Sequence, residues 1–237
     1  MAEKIGFWRL IWEDLGVPVN RDPAIKTRWE ILFNYPGVWA VAWHRIAFAL
    51  HRRGLRLLAR YVSGIAQGLC AIDIHPAAKI GRRFFIDHGI GVVIGETAEV
   101  GNDVTIYQQV TLGGVELTQT KRHPTLEDGV VVGAGARVLG NIVIGRNAKI
   151  GANSVVVKPV PEGCTAVGIP ARITGAEGGG GPLDHHKLPD IQKEMFVYLM
   201  KRIKILEESL TSCKSDFSDK DRELDHLFEN LIKSMEK

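Results

Sequence analysis

Aliphatic side chains return at every sixth residue through the middle of the chain: Ile74, Ile80 and Ile86, then Ile94, Val100, Ile106 and Leu112, then Leu126, Val132, Val138, Ile144, Ile150 and Val156. A step of six fits neither the 3.6-residue period of a helix nor the alternation of one long strand; it fits a short strand plus a turn, repeated. Four residues after each aliphatic comes a second small or apolar residue, among them Ala78, Ala98, Val104, Val110, Val130, Ala136, Ile142 and Ala148. Two inward positions per repeat make a core. Three such faces close one coil of a triangular prism, so these repeats predict a parallel β-helix of about four or five coils. The step breaks twice, with eight residues between Ile86 and Ile94 and fourteen between Leu112 and Leu126. Chain that leaves a regular scaffold commonly carries function. The longer excursion begins at Gly113-Gly114 and ends at Lys121-Arg122-His123-Pro124, marking a loop over a site.

The flanks follow other periods. In residues 1–69, Pro36-Gly37 breaks a helical pattern, and Trp39, Trp43, Ile46 and Leu50 then recur at three or four residues, predicting two or three helices with these side chains on a packed face. Gly178 to Gly181 mark a linker, and Phe196, Leu199, Ile203, Leu206 and Leu210 alternate steps of three and four, resumed by Leu224, Phe228, Leu231 and Met235. That is a coiled-coil seam. The expected organisation is therefore α+β: a helical segment at 1–69, the repeat domain at 70–175, a linker at 176–189, and a coiled-coil helix at 190–237.

Composition narrows the function. The chain has 237 residues, 45% of them hydrophobic and 24% charged, with a net charge of +3, and it lacks a basic run interleaved with aromatics. A wholly disordered chain and a nucleic-acid-binding face are both disfavoured. Three separated cysteines, Cys70, Cys164 and Cys213, suit neither a disulfide framework nor a zinc cluster. A reducing, cytoplasmic setting is expected. No signal peptide is evident, and the apolar stretch from Val38 to Leu50 contains His44 and Arg45 and is too short to cross a bilayer, so no membrane partner is expected.

Several runs, in order, carry a specific resemblance: Arg21-Asp22-Pro23-Ala24, Asp73-Ile74-His75-Pro76-Ala77-Ala78-Lys79-Ile80-Gly81, Ile86-Asp87-His88-Gly89, Val93-Ile94-Gly95-Glu96-Thr97-Ala98, Val110-Thr111-Leu112-Gly113-Gly114, Lys121-Arg122-His123-Pro124 and Gly168-Ile169-Pro170-Ala171-Arg172. Together they resemble the serine O-acetyltransferases, hexapeptide-repeat acyltransferases, across about residues 21 to 175. The resemblance implies a left-handed coil and transfer of acetyl from acetyl-CoA to the hydroxyl of L-serine, the first step toward cysteine. A serine hydroxyl is a poor nucleophile at neutral pH and needs a base as it attacks a thioester. By resemblance that base is His88, its ring held by Asp73, one coil earlier on a neighbouring rung. Asp22 and Asp87 resemble the family's ammonium-binding carboxylates, and Arg122 and His123 its carboxylate-binding pair. Asp22, remote in sequence, requires the helical segment to fold back over a site. Gly113, Gly114, Ala134, Gly135 and Lys149 are the expected contacts of acetyl-CoA in a groove between subunits. The resemblance also implies a homotrimer, with a hexamer of paired trimers possible and no metal.

The chain departs from the family in two places. Residues 115–120 read Val-Glu-Leu-Thr-Gln-Thr where many relatives are glycine-rich, and the chain ends in Met235-Glu236-Lys237 rather than isoleucine. The first predicts a stiffer loop, and the second makes a partnership with O-acetylserine sulfhydrylase doubtful. Three other readings stay open: an acetyltransferase acting on a sugar or antibiotic hydroxyl, a carbonic-anhydrase-like metal hydratase using His75, His88 and His123, and a non-catalytic trimeric scaffold.

Overall fold

The computed structural model of the chain describes residues 6–27, 29–174 and 191–211. The chain divides into two compact units, residues 1–189 and 190–237.

In the first unit the six-residue step becomes three parallel faces. The first face stacks β1 (Asp73–Ile74), β4 (Val93–Ile94), β7 (Thr111–Gly113), β10 (Arg137–Leu139) and β13 (Val155–Val156). The second stacks β2 (Lys79–Ile80), β5 (Glu99–Val100), β8 (Thr125–Leu126) and β11 (Val143–Ile144). On the third, β3 (Phe85–Ile86), β6 (Thr105–Ile106), β9 (Val131–Val132) and β12 (Lys149–Ile150) are followed by β14 (Thr165–Gly168), which turns back antiparallel as β15 (Ala171–Thr174). Each predicted aliphatic pairs in register with its counterpart one coil away: Ile74 with Ile94, Ile94 with Leu112, Leu112 with Val138, and Val138 with Val156. The two irregular steps are absorbed outside this ladder, as a longer corner at 87–92 and as the loop 114–124. Columns of Ile94, Leu112, Val138, Ile106, Val132 and Ile150 fill the prism at 0–1% exposure. Burying each such side chain is worth about 1.5–3 kcal/mol.

Four helices precede the coil rather than two or three: α1 (Phe7–Arg21), the short α2 (Glu30–Asn34), α3 (Pro36–Arg52) and α4 (Arg56–Cys70). Pro36 starts α3, where its missing N–H is harmless. The next residue, Gly37, lies so close to the first coil that a Cβ there would fall 2.1 Å from the carbonyl oxygen of Ile86. The buried side of α3 is Val38, Val41, His44, Arg45 and Ala47, whereas Trp39 and Ile46 remain 39% and 38% exposed. The packed face therefore differs from the expected one. Periodicity marked the bulky stripe, but the side against the coil is chosen by close approach, which favours small residues, and by Arg45. That buried guanidinium donates to Asp14 Oδ2 at 3.0 Å and to the carbonyl oxygens of Ile80 at 2.6 Å and Gly81 at 2.5 Å, fastening α1 and α3 to the first coil. From α4, the Ser63 hydroxyl donates to the Ile74 carbonyl at 2.7 Å.

In the second unit α5 (Ile191–Thr211) is one helix, with Leu199, Ile203 and Leu206 exposed along the expected seam. The Gly178–Gly181 linker, Cys213 and the continuation of the seam at Leu224, Phe228, Leu231 and Met235 lie outside the described residues. Among the described residues no helix is long and apolar enough to cross a membrane.

Candidate active site

The chemistry-bearing residues gather at two corners that flank the first face. The corner entering that face holds Asp87 and His88. Residues 87–92 bridge from β3 to β4 and are laid across the start of β1, with Gly91 N–H donating to the Ala71 carbonyl at 2.8 Å and Asp73 N–H to the Val92 carbonyl at 2.9 Å. Asp73 opens the first rung of this face, and the corner that carries His88 leads into the second rung at Val93. Asp73 pairs with Val93 in the ladder, and among the described residues no hydrogen bond joins it to His88. The His88 side chain is 74% exposed and its backbone is left-handed at φ 58°, a conformation that costs a non-glycine residue about 1–2 kcal/mol. Its Nε2 lies 3.9 Å from Oδ1 of Asp87, whose side chain is only 17% exposed.

Asp22 does fold back to this corner, within the same chain. Arg21 donates to Thr105 Oγ1 at 2.5 Å and to the Asp103 carbonyl at 3.1 Å, pinning the end of α1 to the third face. Asp22 then accepts from the Tyr35 hydroxyl at 2.5 Å and from Ala24 N–H at 2.8 Å. Burial raises Asp87 above the usual carboxylate range; His88 opposes this, and the like charge of Asp22 adds to it. Burial first, then Asp22 and Asp87, also raises the phenols of Tyr35 and Tyr107. Asp22 and Asp87 both act on this pair of tyrosines, so the corner concentrates negative charge, with His88 the histidine beside it.

The corner leaving the first face holds Arg122 and His123. Here the loop 114–124 returns to the prism, and its tip at 115–120 is exposed while its stem is tied down. Thr97 Oγ1 accepts from the backbone N–H groups of Arg122 at 3.0 Å and His123 at 3.1 Å. Lys121 Nζ donates to the carbonyl oxygens of Thr97 and His123, both at 2.7 Å. Arg122 Nη2 pairs with Glu96, and that hydrogen bond holds the Glu96 carboxyl below its usual value. Among the described residues Nη1 of Arg122 is buried without a partner. Burial, then Arg122, lowers the His123 imidazole. Only glycine fits at 95, because a Cβ there would lie 2.0 Å from the His123 ring.

The expected acetyl-CoA contacts divide between the same corners. Gly113 and Gly114 lie at the leaving corner, Gly114 against Arg122, whereas Ala134 and Gly135 lie at the entering corner and Lys149 on the third face. The three histidines divide as well, with His88 at one corner and His75 and His123 at the other. Among the described residues no group of three His, Cys, Asp or Glu could hold a metal ion, so the hydratase reading finds no ligand set within one chain.

Comparison with known proteins decides the family. Residues 123–158 match the bacterial transferase hexapeptide (six repeats) model. A serine acetyltransferase of Bacillus licheniformis is 48% identical over 206 residues, covering 86% of this chain and 95% of that protein. This chain belongs to the serine acetyltransferase family. Two solved structures align on 71% of the chain: Neisseria gonorrhoeae serine acetyltransferase in complex with serine (TM-score 0.68, 41% identity, 69% of that chain) and Brucella abortus serine acetyltransferase in complex with coenzyme A (TM-score 0.68, 40% identity, 68% of that chain). The coil is the left-handed β-helix that the resemblance implied.

Several residues at these corners lie outside the candidate site set. Glu96 and Thr97 lie inside the Val93–Ala98 run, and their place two and three residues past the β4 aliphatic puts them at the corner where the loop returns. Tyr35 and Tyr107 carried no motif signal at all. Tyr107 could have been found from the repeat register, since it occupies the place in the second coil that Asp87 holds in the first.

Proposed function

We propose that the protein transfers acetyl from acetyl-CoA to the L-serine hydroxyl, giving O-acetyl-L-serine and CoA, and so opens the route from serine to cysteine in the cytoplasm. The observation that carries this is the charge pattern of the two corners: a carboxylate pair, Asp22 and Asp87, and a half-buried, half-engaged guanidinium, Arg122. A free amino acid bears one ammonium and one carboxylate, and a bidentate arginine contact fixes its orientation as well as its charge. A sugar hydroxyl would need neither corner.

His88 takes the proton from the serine Oγ as that oxygen bonds to the thioester carbonyl carbon, and Asp73 orients the ring. The tetrahedral intermediate then collapses, the C–S bond breaks, and the CoA sulfur leaves with the proton from His88. His88 is regenerated, and atoms balance without an added co-reactant.

The same geometry supports a homotrimer. Successive corners of one coil are six residues apart, up to roughly 20 Å of extended chain, whereas serine carries both ionic groups on a single carbon. One chain's entering corner therefore needs a neighbour's leaving corner, with Gly113 and Gly114 facing Ala134, Gly135 and Lys149 across a groove for acetyl-CoA. The segments at 1–69, 70–175, 176–189 and 190–237 serve as helical cap, catalytic coil, linker and trimer-matched helix.

The experiment is thiol release from acetyl-CoA with L-serine, homoserine, threonine and simple sugars as acceptors. Serine-dependent release is the expected result, and its absence, or a preference for a sugar, would defeat the assignment.

A further inference from the structure

The Thr97 hydroxyl is shared among more partners than a surface threonine needs. Its oxygen accepts the N–H groups of Arg122 and His123, and it also stands 2.9 Å from Nδ1 of the His123 ring. The hydroxyl has one proton to give, and with two N–H donors already on its oxygen, His123 Nδ1 is the acceptor in reach. The Thr97 backbone N–H points to the same nitrogen at 3.2 Å. Two donors therefore converge on Nδ1, which must be bare, and the ring proton belongs on Nε2. A proton on Nδ1 would set N–H against N–H and break both contacts.

The other edge of the ring is kept clear. A Cβ at Gly95 would lie 2.0 Å from Nε2, and one at Gly114 would lie 3.2 Å from it. Among the described residues Nε2 has no partner, and Nη1 of the adjacent Arg122 is buried and likewise unpartnered. Two successive residues thus each keep a donor nitrogen without a partner, and both are locked from behind by Thr97, whose carbonyl is in turn gripped by Lys121.

We infer that Thr97 is a positioning residue that holds His123 as the neutral Nε2–H tautomer, so that this N–H and the free arm of Arg122 together receive the carboxylate of the acceptor amino acid. This rests on the reading of Arg122 and His123 as the carboxylate seat. The groups that face His123 are Arg122 and Lys121 from the loop and Glu96 from the turn after β4. The two cations disfavour a second positive charge on the ring, and burial acts in the same direction.

The test uses full-length protein labelled with 15N-histidine, with His123 assigned by its loss in His123→Asn. Long-range nitrogen–proton spectra should show an unprotonated Nδ1 that persists from pH 8 down to about pH 6, where an ordinary histidine titrates. Thr97→Val should release the ring into a tautomer mixture that titrates, and Thr97→Ser should restore the lock. In parallel, Thr97→Val should raise KM for serine about tenfold, the worth of a lost polar contact, with KM for acetyl-CoA unchanged and serine at 97 rescuing it. An Nδ1–H tautomer in the parent protein, or an unchanged ring in Thr97→Val, would overturn the lock. A changed ring with unchanged serine KM would leave the lock standing and remove His123 from the carboxylate seat.

Discussion

The two corners of the first face are built to opposite plans. At the leaving corner most groups are held by another: Lys121 grips carbonyls, Thr97 grips the Arg122 and His123 backbones and Glu96 grips Arg122, and among the described residues Arg122 Nη1 and His123 Nε2 are left over. At the entering corner His88 stands exposed on a left-handed residue, and Asp87 carries the like charge of Asp22 with only the distant His88 to oppose it among the described residues. The difference matches the roles proposed for the two corners. Recognition of a planar carboxylate needs geometry fixed in advance, whereas a general base must reach a reacting hydroxyl and is completed only when substrate and a neighbouring prism close over it.

The largest effect should come from the unsecured side. His88→Ala should lower kcat by at least about 10²-fold, the usual cost of losing a general base, with the trimer intact by sedimentation. Retained turnover would put the base elsewhere and dissolve the contrast between the corners. At the secured side, Arg122→Lys should lower kcat/KM for serine by about 10- to 100-fold, mainly through KM, because one ammonium cannot both pair with Glu96 and present a second parallel donor. An unchanged KM would mean the unpartnered Nη1 is not meant for substrate.

These two variants sharpen the comparison further when mixed. If each site joins one chain's entering corner to its neighbour's leaving corner, co-refolding His88→Ala with Arg122→Lys should regenerate roughly a quarter of the sites by random assembly. Recovery of activity from two impaired parents is the expected result. Activity that stays at the weighted mean of the parents would place the whole site within one chain.

The coil was legible because its cause is local and repeated. Each of Ile74, Ile94, Leu112, Val138 and Val156 is demanded by the one before it, so a period in the sequence became a column in the core. The helical cap was not, since α3 turns Val38, Val41 and Arg45 inward for reasons found only in the coil it meets, the close approach at Gly37 and the carbonyls of Ile80 and Gly81. Site legibility divides in the same way. Asp22, Asp87, His88, Arg122 and His123 stand out as runs, but a supporting residue such as Thr97 speaks through backbone atoms of a loop twenty-odd residues away. No local pattern records that debt.

The smallest effect tests the entering corner at rest. Burial and the nearby Asp22 raise Asp87 in the folded protein. Between its unfolded and folded values the native state keeps a proton that the unfolded chain has lost, so stability falls as the pH rises through that window. Above it the full cost of a buried, ionised carboxylate, only partly offset by His88, is present. Asp87→Asn removes that cost while keeping the shape, so the ligand-free variant should melt roughly 2 °C higher at neutral pH. The gain should shrink on acidification into the carboxylate range, where Asp87 itself becomes neutral. The same substitution should weaken serine binding, because an amide no longer balances the ammonium. A variant that melts lower at neutral pH would show that Asp87 already has its counter-charge within the chain, and the entering corner would then be as secured as the leaving one.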